Sequence, residues 1–227
     1  MDLDTAAMEN KYEIAKDKYM HYASEADLKE AMGIFREIAD YKSSRQYMEK
    51  CQTLISHMVG REVTFGRWED RPIQWRVADQ RGKMRLLLSK EILTRRPYHY
   101  VVEDATWETC TLRKWLNEDF LKAAFDRTEQ LRIVPSRIQN LRNRKWFSNG
   151  GRDTMDKVHI PSMEEIETYM PEQNERSGDG WWWLRAPGSN LFSAVAVYDD
   201  GSIYENGIHI NYGEGGVRPA VWVLLKV

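Results

Sequence analysis

The chain has 227 residues, a formal net charge of -2, 42% hydrophobic and 30% charged residues, which suits one or two domains with a real core. No apolar run approaches the roughly 20 residues needed to span a bilayer. Residues 1–10 have neither the basic nor the apolar region of a signal peptide, and the only two cysteines, Cys51 and Cys110, lie far apart. These features point to a reduced, cytoplasmic protein without a membrane partner.

Residues 9–58 read as helical. Tyr12, Ala15, Tyr19 and Ala23 form one apolar stripe. Ser24 is placed to cap a second helix carrying Leu28, Ala31, Met32, Phe35, Ile38 and Ala39. After a break at residues 40–44, Ser43 or Ser44 caps a third helix with Tyr47, Met48, Cys51, Leu54, Ile55 and Met58, and Gly60 ends it. The pattern resembles one tetratricopeptide-like hairpin plus a following helix. A single such unit cannot stack into a solenoid, so it needs its own chain, a second copy or a partner to dock on, and its own chain is the favoured choice. Residues 1–60 hold 8 Lys+Arg and 11 Asp+Glu, a net of -3, which excludes a basic nucleic-acid arm there.

From Arg61 the period changes to that of strands. Residues 63–68 and 73–78 alternate around a polar turn, a further turn lies at residues 80–83, and residues 84–89 form a short apolar strand. Residues 107–125 read as one helix, with Thr106 or Thr109 as its cap and Leu112, Trp115, Leu116, Phe120, Ala124 and Phe125 on its buried face. Residues 127–152 contain seven basic residues against Glu129 alone, a net of +6. Asn149-Gly150-Gly151 suggests a mobile loop. Arg142, Arg144 and Lys145, with Trp146 and Phe147 as stacking rings, are candidate anion or nucleic-acid contacts; a solvated loop paired with acids elsewhere is the favoured alternative.

Residues 158–160 read as a strand, and Ser162 caps a helix through Glu165, its capping-box partner. A polar loop over residues 171–180 leads to Trp181-Trp182-Trp183-Leu184-Arg185-Ala186-Pro187-Gly188. Successive side chains of a strand face opposite ways, so either both faces are covered here or one ring is exposed. Residues 192–198 and 202–205 form a hairpin around Asp199-Asp200-Gly201. Residues 207–211 give another short strand and 217–225 a buried last one. Arg185 and Arg218 each sit in an apolar run and need fixed partners, either backbone carbonyls or buried acids; with Trp182 they are taken as structural residues.

Five blocks in order carry a further resemblance. They are Glu62-Val63-Thr64-Phe65-Gly66-Arg67 with Ile73-Gln74-Trp75-Arg76-Val77, Trp107 to Asn117, Asp156-Lys157-Val158 with Ser162-Met163-Glu164-Glu165, Trp182 to Gly188, and Gly216-Val217-Arg218-Pro219-Ala220-Val221-Trp222. Together they resemble a bacterial family known as domain of unknown function six-two-seven-three. The resemblance implies a C-type-lectin-like fold, shared with formylglycine-generating enzymes and with the variable proteins of diversity-generating retroelements. The expected fold class is therefore α+β. Residues 1–60 make a helical hairpin plus helix, and 61–227 a lectin-like mixed domain with short antiparallel strands and two helices.

For function, the residues offer no metal-ligand spacing among His21, His57, His99, His159 and His209, and no nucleophile, P-loop or dinucleotide motif. No catalytic residue, metal or cofactor is assigned. Neither cysteine has a close partner, which counts against formylglycine-generating chemistry. What remains is a cluster of Tyr198, Tyr204, Asn206, His209, Asn211 and Tyr212, which reads equally as a display surface of residue types suited to adaptable binding and as an ordinary polar hairpin region. The expected function is a non-enzymatic module that binds a protein or other ligand, with a relation to the retroelement-diversified proteins as one option and with the helical segment docking it or making a homo-oligomer. An enzyme on the same scaffold and a nucleic-acid contact through residues 127–152 are the alternatives.

Overall fold

A computed structural model describes residues 3–225. The chain divides into two compact units at residue 62, and the fold class is α+β.

The first unit contains α1 (Leu3–Met20), α2 (Glu25–Glu37) and α3 (Ser44–Ser56). Ser24 caps α2 as expected, its hydroxyl accepting from the Asp27 N–H, and Asp27 completes a capping box not foreseen, its Oδ2 accepting from the Ser24 N–H at 2.9 Å. Ala15, Leu28, Ala31 and Phe35 are fully buried and Tyr12 nearly so. The Phe35 and Tyr47 rings stack 5.0 Å apart, and Tyr12 meets Phe35 edge-on at 5.9 Å. Two expectations about α3 need correction. Ser43 occupies the cap position without a side-chain cap bond, and the Ser44 hydroxyl donates to the Tyr41 carbonyl. The helix ends at Ser56, capped by His57, so Gly60 (φ +88°) lies in a later turn.

The second unit is built on two five-stranded sheets. One has the order β1 (Glu62–Trp68), β2 (Arg71–Arg81), β3 (Met84–Ser89), β12 (Ala220–Leu224), β7 (Val158–His159). The other runs β10 (Ile203–His209), β9 (Ser193–Val197), β8 (Trp182–Pro187), β11 (Gly216–Val217), β4 (Thr94–Arg95). A small pair joins β5 (Ser136–Ile138) and β6 (Thr154–Asp156). Glu69 and Asp70, both with positive φ, make the two-residue turn between β1 and β2.

One core cluster takes Trp75, Val77, Leu87 and Val221 from the first sheet, Trp183, Ala196 and Val217 from the second, Leu112, Leu116 and Phe120 from the helical segment, and Trp107 from the turn before it. Each sheet also has its outer face covered. Leu86, Leu88 and Trp222 pack with Met170, while Trp182, Leu184 and Val197 pack with Met163 and Ile166. Trp182 and Trp183 are therefore both fully buried on opposite faces of one strand, and Trp181 is half-buried.

The segment read as one helix over 107–125 begins later and is not uniform. It consists of α4 (Thr111–Trp115), a π-helical turn (Leu116–Phe120) and α5 (Leu121–Ala124). The cap is Cys110, whose Sγ accepts from the Arg113 N–H at 3.4 Å; Thr106 and Thr109 bond to each other in a preceding turn. In the π turn, Asn117 reaches the strand edge at residues 157–158. Its Oδ1 accepts from Lys157 N at 2.8 Å and Val158 N at 3.1 Å, and its Nδ2 donates to Val158 O at 2.8 Å. Two helices beyond the expected pair are present: α6 (Arg127–Arg132) and α8 (Gln173–Arg176), besides α7 (Met163–Tyr169).

The last strand is also not one strand. β11 pairs with β8 in parallel and with β4 antiparallel, while β12 pairs with β3 and β7. The chain changes sheets at Arg218-Pro219. Proline cannot donate to a ladder, so it falls at this crossing, where its carbonyl still accepts from Ser89 N at 2.9 Å. The two glycines before it permit close approach. A methyl group on Gly215 would collide with the Trp183 indole, and one on Gly216 would lie 2.7 Å from the Trp181 carbonyl.

Candidate binding surface

The β9–β10 hairpin turns at Asp199-Asp200-Gly201 as expected. Gly201 has φ +85°, the Tyr198 N–H donates to Ser202 O at 2.8 Å, and Asp200 Oδ1 accepts from Ser202 N at 2.8 Å. The expected separate strand over 207–211 is instead the second half of β10, reached through a bulge. Tyr204 opposes Ala196 and Ile208 opposes Ala194, so three residues of β10 face one of β9. Gly207 (φ +81°) makes this possible; a Cβ there would sit 2.8 Å from the Ala194 carbonyl. The bulge carries Asn206.

A second segment meets β10 at that bulge. Asn143 is fully buried and uses all its side-chain valence. Its Nδ2 donates to the carbonyls of Pro187 and Glu205, both at 2.9 Å. Its Oδ1 accepts from Lys145 N at 2.9 Å and Trp146 N at 3.0 Å. The turn so held presents Arg144, Lys145, Trp146 and Phe147 beside β10. Arg144 forks onto Glu167 at 2.8 and 2.9 Å and reaches Glu205 at 2.8 Å. Glu167 and then Glu205 raise its pKa further. The Trp146 indole N–H and the Lys145 ammonium both donate to Asn206 Oδ1, at 3.0 and 3.2 Å. Phe147 is 68% exposed and has φ +58°, a left-handed backbone that a bulky aromatic rarely adopts.

Two residue sets that look separate in sequence thus share one surface. Arg144 and Lys145 stand against Glu205 and Asn206, while Arg142 is exposed nearby in the chain. Tyr198 and Tyr204 stack 5.2 Å apart at the hairpin end, and burial followed by Tyr204 pushes the Tyr198 pKa up. At the other end His209 Nδ1 donates to Asn211 Oδ1 at 2.7 Å, its ring tilts over Phe192 at 6.4 Å, and Tyr212 is 59% exposed. Tyr198 follows β9 at the hairpin turn, Tyr204, Asn206 and His209 lie on β10, and Asn211 and Tyr212 lie just after it. The stretch 127–152 is not a free loop: Arg137 pairs with Asp153, Arg152 with Glu108, and Asn140 Nδ2 donates to Arg152 O.

The three residues read as structural lie elsewhere. Arg185 is almost fully buried and donates to both oxygens of Glu165, at 2.5 and 3.0 Å, and to Ile160 O at 3.0 Å. Burial opposes ionisation of Glu165, but Arg185 outweighs it and holds the carboxyl at about 2. His159 is fully buried near this pair, and burial lowers its pKa to about 4. Arg218 lies over the Trp182 ring, 4.7 Å from its centroid, and donates from Nε to Ser89 O at 3.1 Å. Burial raises the Cys110 thiol to about 12 and Cys51 to about 11, so neither forms a thiolate near neutrality. Among the described residues, no three His, Cys, Asp or Glu side chains are grouped to hold a metal ion, and no helix is long and apolar enough to cross a membrane.

Sequence reasoning missed Asn143, Glu205 and the strained backbone of Phe147. A buried asparagine with long-range acceptors leaves no local signature, and a φ angle leaves none at all. The bulge had one signal, the glycine inside a strand pattern at Gly207.

No curated protein and no solved structure matches the chain. Residues 82–225 match the family described as a domain of unknown function (DUF6273). That match spans more than half of the chain and takes in α4, the tryptophan strand and the closing strands, so the chain belongs to this family.

Proposed function

We propose that residues 63–225 are a non-enzymatic binding module of C-type-lectin-like kind, using β10 and the 143–148 turn to grip a protein or other ligand. One observation carries the reading: a fully buried asparagine holds an exposed aromatic turn, including a strained Phe147, against the Tyr- and Asn-bearing edge strand. A left-handed aromatic costs about 1–3 kcal/mol, and this one is spent on display rather than on packing. Rigid rings flanked by adaptable amides suit recognition of a partner surface. Relation to retroelement-diversified proteins belongs to the same proposal, since the candidate residues immediately precede the closing strands. The tetratricopeptide-like helical unit then serves oligomerisation or a second partner, with Ile14 and Met20 exposed on α1.

The test compares full-length wild type with Tyr204→Ser/Trp146→Ala by affinity capture from lysate, followed by direct binding to any purified partner. Loss of at least tenfold in affinity with unchanged circular dichroism supports the surface. Undiminished binding sinks it. Sedimentation of Ile14→Glu/Met20→Glu tests the helical unit separately, and an unaltered mass defeats self-association through α1. A second reading is a nucleic-acid contact, favoured by Trp146 and Phe147 standing exposed among cations. Arg144 is already committed to two carboxylates, which weakens it. Salt-sensitive oligonucleotide binding lost on Arg142→Ala/Lys145→Ala would favour this alternative.

A further inference from the structure

We propose that Arg218 is the floor of a second binding site, independent of β10, that takes a small ligand bearing one carboxylate. Arg218 is only 4% exposed, yet among the described residues no carboxylate pairs with it. Its Nε is used by Ser89 O and one face of its guanidinium by the Trp182 ring, while its two Nη groups have no protein acceptor among the described residues. A buried arginine normally finds an anion or several carbonyls, as Arg185 does in the same unit. Arg218 has one carbonyl, and burial alone pulls its pKa down to about 10.

The guanidinium also has an opening. It lines a hollow of about 360 Å³ beside Lys90, Glu91, Arg95, Gly178 and Asp179. That volume matches a small molecule. The Arg95 guanidinium is tied to the carbonyls of Glu214 and Asp179, which fixes a second positive group at the rim. The lining also holds the acidic residues Glu91 and Asp179 beside Arg95 and Arg218, which disfavours a dianion such as phosphate and leaves a monoanion as the fitting ligand. The planar pair of Nη donors matches the two oxygens of a carboxylate.

The experiment titrates the full-length protein with N-acetylglycine and follows the arginine Nε and tryptophan indole resonances by nitrogen-15 NMR. Glycinamide, sodium chloride at equal ionic strength and inorganic phosphate are the comparisons. A saturable shift at Arg218 and Trp182 with a dissociation constant on the order of 1 mM supports the site. Arg218→Lys should weaken it at least tenfold. Gly178→Leu should do the same without touching the arginine, since only the Gly180 carbonyl, at 3.9 Å, lies near an added Cβ. Gly178→Leu keeps the test valid if Arg218→Lys fails to fold. No saturable shift, an equal response to glycinamide or chloride, binding intact in Gly178→Leu, or tighter binding of phosphate would each overturn the proposal.

Discussion

Strands β8 and β10 flank β9 in the same sheet and differ in nearly everything else. Every residue of β8 is buried, whereas β10 is half-buried along its length and exposed at His209. In β8 the polar atoms are spent inward: the Trp183 indole donates to Arg96 O at 2.8 Å, the Trp182 indole to Arg176 O at 3.1 Å, and Arg185 to carbonyls and Glu165. In β10 they are spent sideways, on a neighbouring turn at the surface. An interior strand with two covered faces is fixed by packing; an edge strand is open to recognition, and here a bulge and a docked turn blunt its edge. Stability should therefore be concentrated in β8 and binding in β10.

Trp183→Ala should break the first half of that contrast most severely. It empties a fully buried site in the shared core and should cost about 4 kcal/mol, read as a lowered urea midpoint with an unchanged slope. A cost below about 1 kcal/mol would mean that the core is not where the tryptophan strand places it.

Acid should act on the same region. His159 folds in its neutral form, with its pKa lowered to about 4, so below the ordinary value near 6.5 the unfolded chain binds the proton first. Its contribution is fully present above pH 6.5 and is lost as the pH falls toward 4, at most about 3 kcal/mol. Glu165, lowered to about 2, retains its contribution above roughly pH 4.5 and loses it below. Urea unfolding of His159→Gln at stepped pH should flatten the profile between pH 6.5 and 4.5 and leave the lower limb. A profile identical to wild type would remove His159 as the cause.

Asn143→Ala tests how the display turn is held. Removing the amide leaves the Pro187 and Glu205 carbonyls and two turn N–H groups without their partner, at a cost of about 2 kcal/mol. Hydrogen exchange in residues 143–148 should accelerate more than in β8; uniform acceleration would show that the turn is not a separate element. Tyr204→Ser should be the mildest for folding, below about 1 kcal/mol, while reducing partner binding at least tenfold. The reverse pattern would make β10 a packing strand.

Local chemistry was readable in the sequence wherever a signal closes within a few residues. The N-cap at Ser24, the capping box of Ser162, the Asp-Gly hairpin and the strand at residues 84–89 follow from spacing alone. Strand alternation placed Trp182 and Trp183 on opposite faces but left open whether both faces are covered, which the packing of the two clusters decides. Features set by distant residues were not readable. Cys110 takes over as a cap because residues 106–109 close their own turn. The π turn exists where Asn117 bonds to residues forty positions away. For residues 127–152 pairing with acids elsewhere was the favoured expectation, but the partners Glu108, Glu167 and Glu205 lie outside the stretch and could not be named from it. Of the surface, the tyrosines and Asn206 could be named from residue type, but not their meeting with Lys145 and Trp146.

The crossing at Arg218-Pro219 also governs the order of assembly. β3 finds its central partner in β12, with Leu87 opposite Val221, and β8 finds one neighbour in β11. During synthesis the first three strands must wait for more than a hundred further residues before either sheet can close. Loop closure over such a span slows folding, and an apolar β3 edge stays unpaired meanwhile. The β-rich unit therefore matures after the ribosome has delivered residues 216–224. A nascent chain halted before them should be held open, protease-sensitive and dependent on chaperones.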